Sequence, residues 1–208
     1  MADISKDAGL PPEAVWIASK GVRLVCRAQT RSQGQELDGR VMGDGVEIRD
    51  SRFASVVGKS AAVEKVAGGF LFTEGPLWHA ADRYLLFSDM PADHLRRWSA
   101  SGGVTTFRKP CGQSNGLAWD SEGRLISCEQ ATSRLTRTEV NGDITVLASK
   151  YAGKELNSPN DVVVKSDGAI YFSDPTYERD DYYGTPRPLQ LDFRGVYRVA
   201  PGVVRSPC

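Results

Sequence analysis

Three positions in the sequence carry oxygen-bearing side chains at matching places in a repeated motif. Glu74 begins Glu-Gly-Pro-Leu-Trp, Asn115 begins Asn-Gly-Leu-Ala-Trp, and Asn160 begins Asn-Asp-Val-Val-Val. A carboxylate and amide carbonyls brought together form a hard-oxygen site that suits Ca²⁺, Mg²⁺ or Mn²⁺, whereas Zn²⁺ can bind there but is less favoured. In the alternative interpretation, such residues satisfy backbone groups in turns. The chemistry therefore depends on whether the fold brings the three side chains together.

The spacing of the motifs indicates what positions them. The motif starts are 41 and 45 residues apart, and a period of about 40–45 residues built from short strands is typical of β-propeller blades. Each motif leads through a turn into an apolar run that ends on an acid, namely Asp89, Glu129 or Asp174. We interpret these acids as strand caps or as hydrogen-bond partners of neighbouring blades.

Two further alternating runs follow each acid, and Gly-containing turns separate them. The sequence therefore predicts an all-β fold, a β-propeller of four-stranded antiparallel blades. The blades are expected at about 70–108, 111–149 and 155–205. An unrelated series of hairpins in a β-sandwich is the alternative, but it does not explain why three repeats agree in register.

The predicted propeller occupies residues 46–208, and residues 1–45 are weakly patterned. A short helix is expected near Pro12-Glu13-Ala14-Val15-Trp16-Ile17. The third blade carries an acidic, aromatic and Pro-rich insertion at 175–188, between its second and third strands. Long loops on rigid scaffolds often carry function, although a solvated surface loop is the alternative.

Composition excludes several classes of function. Lys+Arg and Asp+Glu are equal at 26 each, so we expect no nucleic-acid or anionic-membrane partner. No apolar run long enough to span a membrane and no secretory leader are visible, so a cytoplasmic location is expected. The four cysteines lack metal-binding spacing, and Cys128 is expected to be buried on a strand. No Gly-x-Ser-x-Gly elbow supports a serine hydrolase.

The sequence resembles the family of gluconolactonase, senescence marker protein (regucalcin) and luciferin-regenerating enzyme. The resemblance covers about residues 46–200, and its third motif, Leu-Asn-Ser-Pro-Asn-Asp-Val-Val-Val, looks like the bacterial gluconolactonase branch. The motifs that carry it lie at 73–78, 114–120, 156–168 and 171–175.

This resemblance implies a six-bladed propeller with one divalent cation in its central channel, Ca²⁺ before Mg²⁺, Mn²⁺ or Zn²⁺. It also implies hydrolysis of a small sugar lactone such as glucono-1,5-lactone. Glu74 and Asn160 would be metal ligands, and the expected substrate-binding residues are Asn115, Asn160, Asp161 and Glu178. Some members carry Arg two residues before the Asn of the third motif, where this chain has Ser158.

The number of repeats limits what the resemblance implies. The family's other metal ligands are an Asn and an Asp, and the Asp is also the expected catalytic base. They belong to the fourth and fifth blades, so the catalytic residue is unassigned here. We therefore expect about half a propeller, a truncated form that can self-associate through open sheet edges. Two copies forming one six-bladed ring is an alternative, and a non-catalytic fragment or a binding or assembly module is the alternative function.

Overall fold

The chain divides into two compact units, residues 1–71 and 72–208. The computed structural model describes residues 13–18, 41–42, 46–47, 52, 63–179 and 184–202. Among these residues, no helix is both long enough and apolar enough to cross a membrane. Most of the segment 1–45 lies outside the described residues, so its weak structure stays a prediction.

The first unit contains paired strands where the sequence predicted a helix. Strand β1 (Glu13–Ala18) pairs antiparallel with β4 (Val63–Phe70), and β2 (Val41–Met42) pairs with β3 (Val46–Glu47). The helix expectation near 12–17 is therefore wrong. Its Val, Trp and Ile residues favour an extended chain, and antiparallel pairing with β4 supplies hydrogen bonds that a short helix would have made internally.

The second unit begins with two four-stranded antiparallel sheets. The first sheet runs in the order β5–β6–β7–β8 and the second in the order β9–β10–β11–β12. Their strands are β5 (Thr73–His79), β6 (Tyr84–Asp89), β7 (His94–Ser99), β8 (Gly103–Arg108), β9 (Ser114–Trp119), β10 (Leu125–Glu129), β11 (Arg134–Thr138) and β12 (Ile144–Ala148). Short turns of the kind read from the sequence join consecutive strands.

A short ribbon and a third sheet follow. The ribbon pairs β13 (Lys150–Tyr151) with β14 (Lys154–Glu155). The third sheet has three described strands, β15 (Val162–Val164), β16 (Ile170–Asp174) and β17 (Gly195–Val199), in sequence order. The sequence predicted a fourth strand at the end of the blade at 155–205, and residues 203–205 lie outside the described residues. The insertion between β16 and β17 contains a 3-10 helix, Tyr177–Arg179.

The apolar core lies between successive sheets. One cluster joins the first and second sheets and contains Tyr84, Leu86, Leu95, Cys111, Leu117 and Leu125. A larger cluster joins the second and third sheets and contains Ala118, Ile126, Cys128, Leu135, Leu147, Leu156, Val162, Ile170, Phe172 and Leu191. Cys128 is fully buried on β10 as predicted. Face-to-face packing of antiparallel sheets in chain order is the architecture of propeller blades.

The turn between the second and third strands of a sheet reaches the following sheet. In the first sheet, Asp93 Oδ1 accepts the N–H groups of Cys111 at 3.0 Å and Gln113 at 2.7 Å. In the second sheet, Ser133 Oγ donates to the carbonyl of Asn157 at 2.6 Å. Both turn residues have a φ of 51°, so the same backbone geometry aims a polar side chain at the next sheet each time.

Candidate functional site

The starts of the first strands of the three sheets lie against one another. A Cβ placed on Gly75 would stand 2.0 Å from the carbonyl oxygen of Asn115, and one on Gly116 would stand 2.6 Å from that of Asn160. The Gly116 N–H also donates to the Asn160 carbonyl at 2.6 Å. Only glycine permits such close backbone approach. The glycine of one motif therefore sets the polar residue of the next motif beside its own polar residue, in the order Glu74, Asn115, Asn160.

Asn115 is held within the interface between the first two sheets. Its carbonyl accepts a hydrogen bond from Ser88 Oγ at 2.9 Å, and Ser88 and Ser114 share a hydroxyl–hydroxyl contact at 3.1 Å. The Asn115 amide Nδ2 donates to the sulfur of Met90 at 3.5 Å. Because the nitrogen side of the amide is directed at protein, the amide oxygen is the atom of this side chain suited to receive a donor or a cation.

Asn160 lies beside Glu178, eighteen residues further along the chain. Asn160 Nδ2 donates to the Glu178 carboxylate, and Asn160 N–H donates to the Ser173 carbonyl at 2.9 Å. Glu178 is almost fully buried on the 3-10 helix of the insertion. The insertion thus supplies a carboxylate to the strand starts, which a merely solvated surface loop would not do.

Asp161 occupies the position that glycine holds in the other two motifs. It is exposed, its Oδ1 accepts the Val162 N–H at 2.8 Å, and its own N–H donates to Ser173 Oγ at 3.1 Å. A Cβ on Gly116 would stand 2.7 Å from Asp161 Oδ1. The carboxylate therefore lies at the junction of the second and third motifs, and its role toward substrate stays a prediction.

The acids that end the second strands accept hydrogen bonds from the chain around them, two from backbone N–H groups and one from side chains. Asp89 accepts the Phe72 N–H at 3.4 Å, and Asp174 accepts the Asn157 N–H at 2.8 Å. Glu129 accepts two hydrogen bonds from Arg134, at 2.6 and 3.2 Å. Two of the three carboxylates thus fix the chain just before the first strand of their own sheet, and the third binds the start of the third strand. The capping interpretation made from the sequence agrees with these contacts.

Two arginines of the insertion, which the sequence did not single out, attach it to the second sheet. Arg179 is buried. Its Nε donates to the Asn157 carbonyl at 2.7 Å, and its Nη1 donates to the Pro188 carbonyl at 3.0 Å. Its Nη2 donates to Ser133 Oγ at 2.9 Å. Its Nη2 also donates to the Leu156 carbonyl. Burial, followed by the charge of Arg187, lowers the pKa of Arg179.

Arg187 completes this attachment from the other end of the insertion. Its Nη2 donates to the Gln130 carbonyl at 2.7 Å and to Ser133 Oγ. Glu155 lies 3.4 Å from Arg187 Nε and 3.8 Å from Arg179 Nη2, so one carboxylate balances both guanidinium groups. The two arginines hold the loop that presents Glu178. No local sequence signal could have identified them, because their partners are distant in the chain.

Asp174 gives the fold a specific dependence on pH. Burial raises its pKa to about 6, although the N–H groups of Asn157 and Ser158 and the charge of Arg179 oppose the shift. A raised pKa means that the fold favours the protonated form. This contribution to stability is fully present below about pH 4 and is lost as the pH rises through 6, by about 3 kcal/mol.

Asn at position 174 cannot ionise. We therefore expect the free energy of unfolding of Asp174→Asn, relative to that of the wild type, to be about 3 kcal/mol higher at pH 7 than at pH 4. Urea denaturation at several pH values measures this difference. The control is Asp167→Asn, an exposed aspartate whose pKa is lowered by its hydrogen bond from Lys165, and it should not reproduce the trend. If the free energy of unfolding changed with pH in the same way for the wild type and for Asp174→Asn, the prediction would be wrong.

The oxygen groups at the strand starts fit a hard divalent cation in their chemistry. They comprise the Glu74 carboxylate and the amide oxygens of Asn115 and Asn160. Among the residues the structure describes, no group of three or more His, Cys, Asp or Glu side chains could hold a metal ion. A cation here would therefore depend on amide oxygens together with a single carboxylate from the motifs.

Successive antiparallel sheets packed face to face, with polar residues aligned at their first strands, define a β-propeller protein. The described residues form two four-stranded blades and three strands of a third, in agreement with the antiparallel propeller blades that the sequence predicted. The chain belongs to the SMP-30/Gluconolactonase/LRE-like family, whose model matches residues 72–206.

Several known proteins are similar to this chain. The chain is 30% identical over 164 residues to a gluconolactonase of Zymomonas mobilis, and the match covers 72% of this chain and 46% of the relative. A solved gluconolactonase of Xanthomonas campestris is 36% identical with a TM-score of 0.61, covering 65% of this chain and 46% of its own. A structural-genomics protein assigned as a gluconolactonase is 36% identical with a TM-score of 0.62, and the match covers 66% of this chain and 48% of that protein. The chain thus spans about half the length of these relatives.

Proposed function

We propose that this chain supplies part of a divalent-metal site for hydrolysis of a sugar lactone. The observation that carries the proposal is the alignment of Glu74, Asn115 and Asn160 through two glycine–carbonyl contacts. The similarity to proteins named gluconolactonases, at 30–36% identity, supports the choice of substrate class. A sugar lactone offers a carbonyl and several hydroxyl groups, and oxygen and amide side chains bind both kinds of group.

Glu74 and Asn160 are the residues that would hold the cation, with Ca²⁺ preferred and Mg²⁺, Mn²⁺ or Zn²⁺ as alternatives. When bound, a divalent cation supplies Lewis-acid polarisation of the lactone carbonyl and acidifies a water molecule. Glu74 provides the negative charge that such an ion requires. We assign the base that accepts the water's proton to none of the described residues.

The remaining polar residues would orient the sugar. The Asn115 amide oxygen, the Asp161 carboxylate and the Glu178 carboxylate are acceptors for sugar hydroxyl groups. Glu178 and Asn160 are already hydrogen-bonded to each other, so they present a fixed pair and lose little freedom when substrate binds. Arg179 and Arg187 act at one remove, because they position the loop that carries Glu178.

A specific observation supports a second candidate, a non-catalytic binding or assembly module. The third sheet exposes Val163 and Val196 on one face, with exposed fractions of 61% and 73%. Exposed apolar groups on a sheet are a feature of protein contact surfaces. Such a module would retain the propeller architecture without turning over a lactone.

Hydrolysis of glucono-1,5-lactone by the full 208-residue chain separates the two candidates. If the chain is the enzyme by itself, turnover appears with Ca²⁺, Mn²⁺ or Zn²⁺, is lost after EDTA, and recovers when the metal is restored. Glu74→Gln should lower metal-dependent turnover by at least about 100-fold, since it removes the charged ligand. Glu122→Gln is the matched control because its carboxylate is 66% exposed in a surface turn.

Turnover that persists in EDTA would contradict the metal site, and unchanged turnover in Glu74→Gln would remove Glu74 from it. A folded chain without turnover under any of these metals would exclude this chain as the enzyme by itself and would favour the module.

A further inference from the structure

Gly184, in the insertion between β16 and β17, packs against the backbone of Glu178. A Cβ placed on Gly184 would overlap the carbonyl oxygen of Glu178 and would stand 2.5 Å from its carbonyl carbon and 3.1 Å from its Cα. All three atoms belong to the main chain, so none of them can rotate away as the end of a side chain would. The two arms of the insertion therefore touch at a position where only glycine fits.

Space, and not backbone conformation, explains the glycine at this position. The φ of Gly184 lies outside the left-handed region that favours glycine, so alanine adopts the same φ without strain. Gly75 differs in this respect, because its φ of 57° would strain an alanine before any overlap is counted. A substitution at position 184 therefore acts through the contact with Glu178.

The arm that carries Glu178 is anchored on its other side. Arg179 directly follows Glu178, and its buried guanidinium donates to the carbonyls of Asn157 and Leu156. The Arg179 N–H donates to the Thr176 carbonyl at 3.2 Å. Because the chain around Glu178 is fixed in this way, a push from position 184 must be taken up by the peptide group and the side chain of Glu178 itself.

The arm that carries Gly184 is anchored to the second sheet. Thr185 follows Gly184, and its Oγ1 donates to Gln113 Oε1 at 3.1 Å, in the segment that leads into β9. Arg187 Nη2 donates to the Gln130 carbonyl at 2.7 Å. This arm therefore cannot retreat from Glu178 without losing its contacts with the second sheet.

The position of Glu178 determines what the Asn160 amide can do. Asn160 Nδ2 donates to the Glu178 carboxylate, so the carboxylate holds the nitrogen side of this amide and leaves the oxygen side for another partner. That oxygen is the atom through which Asn160 would hold a cation. A displaced Glu178 would no longer fix the orientation of the amide.

We propose that Gly184 is a positioning residue, because the space it leaves for the Glu178 backbone holds the Glu178 carboxylate against the Asn160 amide. A side chain at position 184 would displace Glu178 and release Asn160. The role of this pair toward a cation and a sugar rests on the proposed function, whereas the contact between the two arms does not.

Nuclear magnetic resonance of the Asn160 side-chain amide tests the proposal without requiring turnover. Asn160→Asp identifies the amide signal by its loss, and Glu178→Ala gives the position of the signal when the carboxylate is absent. In Gly184→Ala we expect the signal to move at least about half of the way from its wild-type position to its position in Glu178→Ala, because a hydrogen bond to a carboxylate weakens steeply with distance and angle.

Gly102→Ala is the matched control. The φ of Gly102 also lies outside the left-handed region, and a Cβ there meets Ser99 Oγ at 3.0 Å, an atom at the end of a side chain that can rotate away. Gly102→Ala should therefore keep the wild-type Asn160 signal. Circular dichroism establishes whether each variant is folded.

A second variant applies if Gly184→Ala does not fold. Thr185→Val removes the hydroxyl that donates to Gln113 and adds no bulk, so it loosens the arm that carries Gly184. The Asn160 signal should then move in the same direction by a smaller amount. The proposal is overturned by an unchanged Asn160 signal in folded Gly184→Ala or, if that variant does not fold, in Thr185→Val. An Asn160 signal that is the same in the wild type and in Glu178→Ala would also overturn it.

Turnover is measured separately, so that the two proposals can fail independently. If the chain hydrolyses glucono-1,5-lactone, Gly184→Ala should raise the KM for the lactone about tenfold, because Glu178 would no longer be placed to bind the sugar. A wild type without turnover would contradict the proposed function, while the Asn160 signal would still decide the role of Gly184.

Discussion

Gly75→Ala is expected to lower the free energy of unfolding by about 4 kcal/mol. Gly75 has a φ of 57°, in the left-handed region that alanine adopts only with strain. The added Cβ would also stand 2.0 Å from the carbonyl oxygen of Asn115. Because that oxygen belongs to the backbone, it cannot rotate out of the way. Relief of the overlap requires the first and second sheets to separate at the candidate site.

A control variant separates the cost of backbone strain from the cost of the steric overlap between the added Cβ and the Asn115 carbonyl. Gly123 also has a positive φ, 76°, but a Cβ there meets no atom within 4 Å. Gly123→Ala should therefore cost about 1 kcal/mol. Urea denaturation with a common slope compares the two variants. Equal losses of stability would show that the close approach of Gly75 to Asn115 is not important for the fold.

Arg179→Met is expected to cost about 3–5 kcal/mol. Methionine retains an unbranched apolar side chain but cannot donate hydrogen bonds. The substitution would remove the charge-assisted donors to the carbonyls of Asn157, Leu156 and Pro188 and would leave the Glu155 carboxylate with one guanidinium partner. Thermal and urea denaturation both measure the loss, and residues 175–188 should become more susceptible to limited proteolysis.

Arg194→Met provides the comparison within the same region. Arg194 is exposed and donates from Nε to Thr176 Oγ1 at 2.7 Å, so it too contacts the insertion. Because its guanidinium is solvated, we expect its removal to cost less than about 1 kcal/mol. If both variants lost the same stability, burial of the Arg179 guanidinium would not be what holds the insertion.

The strands could be predicted because their signals are local. The Asp-Ser-Glu-Gly turn at 120–123 illustrates this: Asp120 Oδ1 accepts the N–H groups of Glu122 at 3.0 Å and Arg124 at 2.8 Å, all within five residues. Repetition of such turns at matching intervals identified the blades. The helix expected near 12–17 failed for the opposite reason, since its conformation depends on pairing with β4, a strand that is distant in the chain.

The candidate site was predictable in part. The repeat identified Glu74, Asn115 and Asn160 as equivalent, and the structure places their strand starts in succession. Sequence could not show that Gly75 and Gly116 receive the carbonyl of the next motif, because this requires knowing which backbones touch. Nor could it identify Arg179, whose hydrogen bond to Ser133 spans 46 residues. Residue types reveal chemistry and local turns, but long-range contacts depend on the packed fold.

The turns at Asp93 and Ser133 have a consequence for how the protein unfolds. Each ties its sheet to the one that follows, so the stability of a sheet depends mainly on its immediate neighbours. With such nearest-neighbour coupling, the sheets unfold one after another from an end of the series rather than in a single cooperative transition. In the part of the chain that the structure describes, the third sheet packs against another sheet on one face only, so opening would begin there. The segment that carries Glu178 and Asn160 would then be the first to exchange its amide hydrogens, while Glu74 stayed in place.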